Sequence, residues 1–145
     1  MNIPCIIRRL DPEVPFPVYK TPGAVAFDLA VFEETDLTPG ETKMLRTGLV
    51  ICVPEGYAII LAPRSSNAKK GIRLGNGIGV VDQDYCGPED ELRLALHNFG
   101  TQTYHIEKGE RLAQGFLVPV AHAQFEEGQI LAQPNRGGFG STGFI

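Results

Sequence analysis

The segment of this sequence best suited to chemistry on a nucleotide surrounds Asp82. Two valines lead into this acid, and a second acid and the aromatic Tyr85 follow it closely. Asn76-Gly77 upstream predicts a β-hairpin, and the glycines around it would let a ligand approach the main chain. The segment 75–87 is therefore interpreted either as a hairpin with solvated acids, or as one that presents its backbone to a base beside a carboxylate and a ring.

A second candidate site is Pro63-Arg64-Ser65-Ser66, where a rigid proline precedes a guanidinium and two hydroxyls. The residues that follow predict a short helical segment at 66–70, which a serine would cap and Gly71 would end. A helix N-terminus beside an arginine is a natural phosphate site. Such tetrapeptides are also common in solvated loops, and the four residues alone favour that second interpretation.

The C-terminal segment combines four glycines with residues that suit a nucleotide: Arg136, Phe139, Ser141 and Thr142. It resembles a phosphate-binding glycine loop but lacks the lysine and the strand–helix unit of a P-loop. One interpretation is a disordered tail. The other is a ring that stacks on a base while the arginine and the hydroxyls hold phosphates, which explains an aromatic residue in so polar a segment.

The elements that must position these residues are short strands. Apolar runs broken by Pro and Gly predict strands at 45–53, 57–62, 92–97, 103–107 and 112–120, with turns at 54–56 and 108–110. Leucines alternate with other residues in 92–97, which is typical of a strand with one buried face. Inside the last run, the amide of Gln114 is either paired within the core, which the sequence favours, or directed into a site. This pattern predicts one all-β domain, a sandwich or barrel.

Composition excludes several classes of protein. A net charge of -4 argues against a broad electrostatic surface for nucleic acid or anionic membrane, although not against a small anionic ligand. Apolar stretches are too short for a signal peptide or a membrane span. Cys5, Cys52 and Cys86 are odd in number and far apart, which predicts reduced thiols and neither a disulfide framework nor a zinc site. We therefore expect a soluble, cytoplasmic protein.

Taken in order, five segments resemble the five motifs of the trimeric dUTPase family. They are Ala26-Phe27-Asp28-Leu29 and the segments 63–66, 75–87, 111–114 and 136–143. The resemblance implies a distorted jelly-roll β-barrel with one short helix, assembled as a homotrimer with active sites shared between subunits. Residues 126–145 would be a mobile arm of one chain that closes over a site formed by the others. The activity implied is Mg²⁺-assisted hydrolysis of dUTP to dUMP and pyrophosphate.

The resemblance also implies a role for each matching residue. Asp82 would orient and activate the water that attacks the α-phosphorus, and Asp28 would act near the Mg²⁺ through a water molecule. The residues implied as phosphate contacts are Arg64, Ser65, Ser66, Gln114, Arg136, Ser141 and Thr142. The residues implied as base and sugar contacts are Asn76, Val80, Val81, Tyr85 and Phe139, with Arg93 as a further substrate contact.

Substrate choice follows from these contacts. Asn76 and the backbone of 80–82 would imitate a base pair with uracil, and a site of that kind leaves groups unpaired against cytosine. Tyr85 would pack under the deoxyribose, where a 2′-hydroxyl would clash.

Three departures from the family pattern stand out: alanine in place of glycine at Ala26, a three-residue insertion at 88–90, and a spacing between Arg136 and Phe139 that is two residues shorter.

Two alternatives remain beside the hydrolase. A dCTP deaminase, or a bifunctional deaminase and dUTPase, shares the fold but needs a catalytic glutamate presented to the base. Asp82 and Tyr85 match the hydrolase pattern instead. A nucleotide-binding module without catalysis is the other alternative, and the presence of Asp82 argues against it.

Overall fold

Short alternating runs fold into eleven strands and one single-turn helix in the computed structural model, which describes residues 2–128 and 137–138. The strands are β1 (Ile6–Arg9), β2 (Phe27–Ala30), β3 (Thr35–Leu37), β4 (Thr42–Arg46), β5 (Leu49–Cys52), β6 (Tyr57–Pro63), β7 (Ile72–Leu74), β8 (Gly79–Val81), β9 (Arg93–Asn98), β10 (Tyr104–Ile106) and β11 (Arg111–Pro119). The helix α1 (Asn67–Lys70) lies between β6 and β7.

All the strand pairs are antiparallel and fall into four small sheets. The largest sheet has the order β2-β11-β6-β8, the next has the order β4-β9-β7, and the remaining two are the pairs β1-β5 and β10-β3. The predicted all-β class with one short helix is confirmed. Among the described strands the ladders do not join into one closed barrel, because the chain turns between separate sheets.

One hydrophobic core joins the sheets. Its least exposed large side chains are Leu29, Leu37, Ile59, Ile72, Leu92, Leu94, Leu96, Ile106 and Leu112. In β9 the buried Leu94 and Leu96 alternate with more exposed neighbours, as the period-two pattern predicts. The two sheets that carry the candidate site are therefore fixed to each other through this shared core.

The long strands β6 and β11 position most of the candidate residues. β11 lies between β2 and β6, so that Gln114 is opposite Asp28 on one side and Ala62 on the other. β8 pairs with only the middle of β6, at Ile59–Leu61. β6 thus has the segment after β8 at its first end and Arg64 just beyond its second end.

The structure corrects two predictions about strands. The predicted strand at 45–53 is divided, because Thr47-Gly48 turns the chain with a φ of 71° at Gly48 and sends β4 and β5 into different sheets. The predicted hairpin at Asn76-Gly77 is a turn, with a φ of 76° at Gly77, but β7 pairs with β9 and β8 pairs with β6. A local signal specifies the turn, whereas packing against distant strands decides the pairing.

The helix is shorter than predicted and is not capped by a serine side chain. It begins at Asn67, and the hydroxyl of Ser66 makes no capping hydrogen bond. Gly71 ends it with a φ of 71°, as expected for a left-handed C-terminal glycine. No helix in the described part of the chain is long and apolar enough to cross a membrane.

The prediction that all three cysteines are reduced is wrong. Cys52 and Cys86 form a disulfide with their Cα atoms 5.2 Å apart, and Cys5 is free and exposed. The two paired residues are separated by 34 positions. Their approach depends on how the segment after β8 lies against β5, which cysteine number and spacing do not reveal.

Candidate active site

Six of the predicted site residues line one open cavity of about 280 Å³ between β8 and β9. They are Asn76, Val80, Val81, Asp82, Tyr85 and Arg93. The floor is apolar and includes Leu61, Leu74 and Leu94. A cavity with an apolar floor and a few polar groups on one wall is typical of a site for a small organic ligand.

The end of β8 presents Asp82 to this cavity. β8 is held by its ladder with β6, which pairs Val81 with Ile59. Val80 is 63% exposed and Asp82 follows the strand as an exposed residue. The carboxylate therefore lies at the cavity wall in contact with solvent, where a water molecule has access to it.

Tyr85 is held at both ends in the segment after Asp82. Its main-chain N–H donates to the carbonyl of Asp82 at 3.2 Å, and its hydroxyl donates to the carbonyl of Glu91 at 3.0 Å. The ring is 41% exposed and lines the cavity. An apolar ring fixed in this way offers a flat surface to a ligand.

The insertion at 88–90 forms a tight turn between Tyr85 and its partner. The N–H of Gly87 donates to Oδ2 of Asp90 at 2.6 Å, and the N–H of Asp90 donates to the carbonyl of Gly87 at 3.1 Å. The turn delivers Glu91 to the start of β9, directly before Leu92 and Arg93. The extra residues therefore connect two residues of the cavity wall, Tyr85 and Glu91, without lining the cavity themselves.

Glu91 is a buried charged residue that the motif pattern did not identify. Its side chain is 4% exposed and accepts hydrogen bonds from Nε of Arg46 at 3.0 Å and from the N–H of Gly48 at 2.6 Å. The bond to Glu91 raises the pKa of Arg46. Arg93 is also near, with Nε 3.8 Å from the carboxylate. The sequence signal that could have identified Glu91 is its position directly before a strand of alternating leucines.

A second cluster lies where β2, β11 and the end of β6 meet. Asp28 is paired with two arginines: its Oδ1 is 2.9 Å from Nε of Arg64, and its Oδ2 is 2.8 Å from Nη1 of Arg111. The side chain of Asp28 is only 13% exposed. One carboxylate against two guanidinium groups leaves a net positive charge, which favours an anion such as phosphate.

Arg111 stands at the head of the fourth motif, and the family resemblance implies no role for it. Its carbonyl accepts a hydrogen bond from Nη1 of Arg64 at 3.1 Å, so the two arginines are fixed relative to each other. Asp28 and Arg111 are separated by 83 residues in sequence. Only the ladder between β2 and β11 brings them together, so sequence spacing gave no signal for the pair.

Gln114 lies at the edge of the second cluster, bonded to the main chain of β6. Its side chain is half-buried, and its Nε2 donates to the carbonyl of Pro63 at 3.0 Å. The amide thus fixes the backbone directly before Arg64. Ser65 and Ser66 follow as exposed residues at the start of α1.

The two clusters lie at opposite ends of β6. Asp82 follows the residue that pairs with Ile59, whereas Arg64 comes one residue after the strand ends. About six residues of extended strand separate the position on β6 next to Asp82 from Arg64, which corresponds to roughly 20 Å. The phosphate-binding cluster of one chain therefore lies well away from that chain's own cavity.

The described part of this chain has no cluster of side chains that could bind a metal ion on its own. Residues 2–128 and 137–138 contain no group of three or more His, Cys, Asp or Glu side chains that could hold an ion. Single carboxylates such as Asp28 and Asp82 suit Mg²⁺ nevertheless, because this ion keeps most of its waters and takes its remaining ligands from substrate phosphates.

The four predicted contacts in the tail lie outside the described residues. They are Arg136, Phe139, Ser141 and Thr142. Residues 121–128, which lead toward them, are exposed and form neither helix nor strand.

Comparisons with known proteins agree with the motifs. The dUTPase family model matches residues 12–143. The deoxyuridine 5′-triphosphate nucleotidohydrolase of Mannheimia succiniciproducens is 41% identical over 149 residues, which cover 99% of this chain and 97% of that protein. The dUTPase of Streptococcus mutans has 31% identity and a TM-score of 0.75, with 83% of this chain and 98% of that chain covered.

The fold extends to more distant relatives. The dUTPase of Staphylococcus bacteriophage 80alpha, solved with dUpNHpp, superposes with a TM-score of 0.86 at 22% identity. The superposition covers 97% of this chain and 98% of that one. The small antiparallel sheets described above are therefore arranged as in the dUTPase jelly roll, which confirms the predicted fold.

Proposed function

Since this chain belongs to the dUTPase family, we propose that it hydrolyses dUTP to dUMP and pyrophosphate. The observation that carries the proposal is the cavity in which Asn76, Asp82 and Tyr85 lie together. These residues supply a polar group for a base, a carboxylate for a water molecule and a ring for a sugar. All three chemistries are needed for hydrolysis of a nucleotide of defined base and sugar.

Asp82 is proposed to act as the general base. Its exposed carboxylate at the cavity wall can accept a hydrogen bond from water and orient one lone pair of that water toward the α-phosphorus. The water proton passes to the carboxylate as the new P–O bond forms. The bond to the bridging oxygen breaks in line, and pyrophosphate leaves.

Base and sugar selection are proposed for the same cavity. Asn76 and the main chain at 80–82 would pair with the edge of uracil, and the unpaired groups left by cytosine would weaken its binding. Tyr85 would pack under the deoxyribose and leave no space for a 2′-hydroxyl. The bond from its hydroxyl to Glu91 supports this role, since it fixes the ring.

The phosphate chain is proposed to bind the second cluster, at Arg64, Ser65 and Ser66. The pairing of Asp28 with Arg64 and Arg111 supports this assignment, because it orients one guanidinium and leaves excess positive charge. Gln114 would act through the backbone of Pro63. Asp28 would hold Mg²⁺ through water, and the ion, when bound, neutralises phosphate charge during the transfer.

A homotrimer with shared sites is proposed for the assembly. The separation of roughly 20 Å between the clusters of one chain supports it, because a second subunit could place its phosphate cluster beside the first subunit's cavity. We propose that the tail of a chain, residues 126–145, contributes Arg136, Phe139, Ser141 and Thr142 to such a site. Cytoplasmic location and the absence of nucleic-acid or membrane partners stay predictions from the net charge and the short apolar stretches, since the Cys52–Cys86 disulfide removes the argument from reduced thiols.

A pyrophosphate-release assay tests the function. The purified protein would be supplied in turn with dUTP, dCTP, dTTP and UTP, with and without Mg²⁺, and ammonia would be measured in parallel. We expect pyrophosphate from dUTP far in excess of the others, and only with the metal. Ammonia released from dCTP would instead establish the deaminase alternative, and binding of dUTP without turnover would establish the non-catalytic one.

A further inference from the structure

The segment 82–91 is fastened along β5 at both ends of that strand. At the start of β5, the N–H of Leu92 donates to the carbonyl of Leu49 at 2.8 Å, and the N–H of Gly48 donates to Glu91 at 2.6 Å. At the far end of β5, the disulfide joins Cys52 to Cys86. The segment that carries two of the proposed site residues is thus attached by one covalent link near its middle.

The covalent link lies next to the sugar-facing ring. Cys86 directly follows Tyr85, and the hydroxyl at the far end of that ring is bonded to the carbonyl of Glu91. The disulfide therefore fixes the main chain beside the ring, and the hydrogen bond fixes its tip. Both cysteines are half-buried, so the pair lies at the edge of the core and not inside it.

We propose that the Cys52–Cys86 disulfide is a redox-sensitive positioning element for Tyr85, which tightens dUTP binding and selection against ribose when it is closed. The inference rests on the proposed function, in which Tyr85 contacts the deoxyribose. A dithiol opens the link by exchange. One of its thiolates attacks a sulfur, its second thiol displaces the mixed disulfide, and two electrons and two protons pass to the cysteines.

Opening the link affects binding more than the chemical step. Asp82 has a separate anchor, because its neighbour Gln83 accepts a hydrogen bond from the N–H of Gly56 at 2.8 Å through its side-chain oxygen. Tyr85 loses the only covalent restraint on its segment. Reduction should therefore raise KM and weaken the preference for deoxyribose, with little change in kcat.

The experiment compares the oxidised protein with the same protein treated with dithiothreitol, with thiol state verified by alkylation and mass spectrometry. Reduction should raise KM for dUTP about fivefold or more and lower the dUTP-to-UTP ratio of kcat/KM by a similar factor, within the usual range of coupling between sites. A variant with Cys52→Ser and Cys86→Ser should behave as the reduced protein under both conditions. Cys5→Ser, the matched control at the free cysteine, should respond as the parent does.

Binding of dUMP gives a readout that needs no turnover. Coupling between binding and redox state is reciprocal, so a ligand that prefers the closed form makes the disulfide harder to reduce. A tenfold difference in affinity corresponds to 29.6 mV for this two-electron couple. If the closed form binds dUMP fivefold more tightly than the open form, dUMP must therefore lower the reduction potential of the disulfide by about 20 mV. Equal KM values and equal UTP discrimination in both redox states would overturn the inference and leave the link a purely structural one, even if reduction lowered the melting temperature.

Failure of the proposed function would look different. In that case neither redox form would release pyrophosphate from dUTP. The affinities of dUMP and UMP in the two states would still decide the inference: a deoxyribose preference that falls on reduction supports it, and one that does not change overturns it.

Discussion

At the scale of single residues, the cavity separates two exposed acids that the sequence places almost side by side. Both acids line a second cleft near Tyr57 and His122, but of the two Asp82 alone also lines the cavity of the proposed site. Only a carboxylate beside the bound substrate can orient the attacking water. Proximity in sequence therefore does not make the two acids equivalent.

The first prediction concerns this pair. Asp82→Asn should lower kcat by about 10²-fold to 10⁴-fold, because an amide cannot accept the water proton. KM should change little, since the amide keeps the shape of the side chain. Asp84→Asn is the matched control and should keep the parent rate. Steady-state pyrophosphate release measures both, and near-parent turnover by Asp82→Asn would refute the general-base assignment.

The second prediction concerns Asp28, which the structure shows to orient two arginines in addition to its proposed role in binding the metal. Asp28→Asn should raise KM for dUTP roughly tenfold at saturating Mg²⁺, because charge-assisted bonds to Arg64 and Arg111 are lost. A titration of Mg²⁺ on the same variant separates the two roles. If only the Mg²⁺ requirement rises and KM at saturating metal is unchanged, orientation of the arginines is not what Asp28 does.

Sequence motifs singled out these residues but did not reveal what holds them. The acids and the ring around Asp82 could be recognised because all lie within one short segment. The partners of Asp28 and the burial of Glu91 depend on strands far apart in sequence, so no local pattern encodes them. The residues missed are those whose environment is created by strand pairing.

At the scale of elements, strand existence followed from alternation, but strand partners did not. β6, β9, β10 and β11 fall on predicted runs within a few residues. The turn at Asn76-Gly77 is real, yet it joins strands of two different sheets. Hydrophobic period and turn chemistry are local, whereas ladder partners are chosen by the core that two runs share.

The third prediction concerns close packing at β11. A Cβ added at Gly115 would lie 2.7 Å from Cε2 and Cζ of the buried Phe27. Gly115→Ala should therefore lower the free energy of unfolding by about 1–3 kcal/mol, the usual cost of overpacking a core. Gly128→Ala, where no heavy atom lies within 4 Å, is the control. Urea denaturation compares them, and equal stability of the two variants would contradict the packing argument.

The fourth prediction concerns the cluster that ties β10, β11 and α1 together. Glu110 accepts hydrogen bonds from Lys70 and Tyr104. Burial raises the pKa of Glu110, but these two donors outweigh it, so its pKa lies below the ordinary 4.5. The stability it contributes is complete above pH 4.5 and is lost as pH falls through the lower value of the folded state.

Glu110→Gln should accordingly lower the free energy of unfolding by about 1–2 kcal/mol at pH 7. The difference from the parent should shrink as pH drops below 4.5. Glu13→Gln removes an exposed partner of Lys108 and serves as the control, with an effect near zero expected. A difference at pH 7 that persisted unchanged in acid would show that the charge of Glu110 is not what stabilises the cluster.

At the scale of the whole molecule, the distance between the two clusters of one chain decides how a complete site can form.

The fifth prediction tests the shared site by mixing two inactive variants, Asp82→Asn and Arg64→Ala. If each site takes its cavity from one chain and its phosphate cluster from another, subunits exchanged at equal amounts should recover about a quarter of parent activity. Each variant alone, unfolded and refolded in the same way, is the control. No recovery despite verified subunit exchange would mean that each chain builds its own site.

If sites are shared between subunits as proposed, the position of the two clusters at the two ends of β6 also has a genetic consequence. In a cell that makes parent and altered chains together, a chain altered in one half spoils one site, so activity falls in proportion to the parent fraction. A chain altered in both halves spoils the sites on both of its sides, and activity then falls with the square of that fraction. A plot of activity against the parent fraction for the doubly altered chain is therefore curved if each chain takes part in two sites, and straight if it takes part in one.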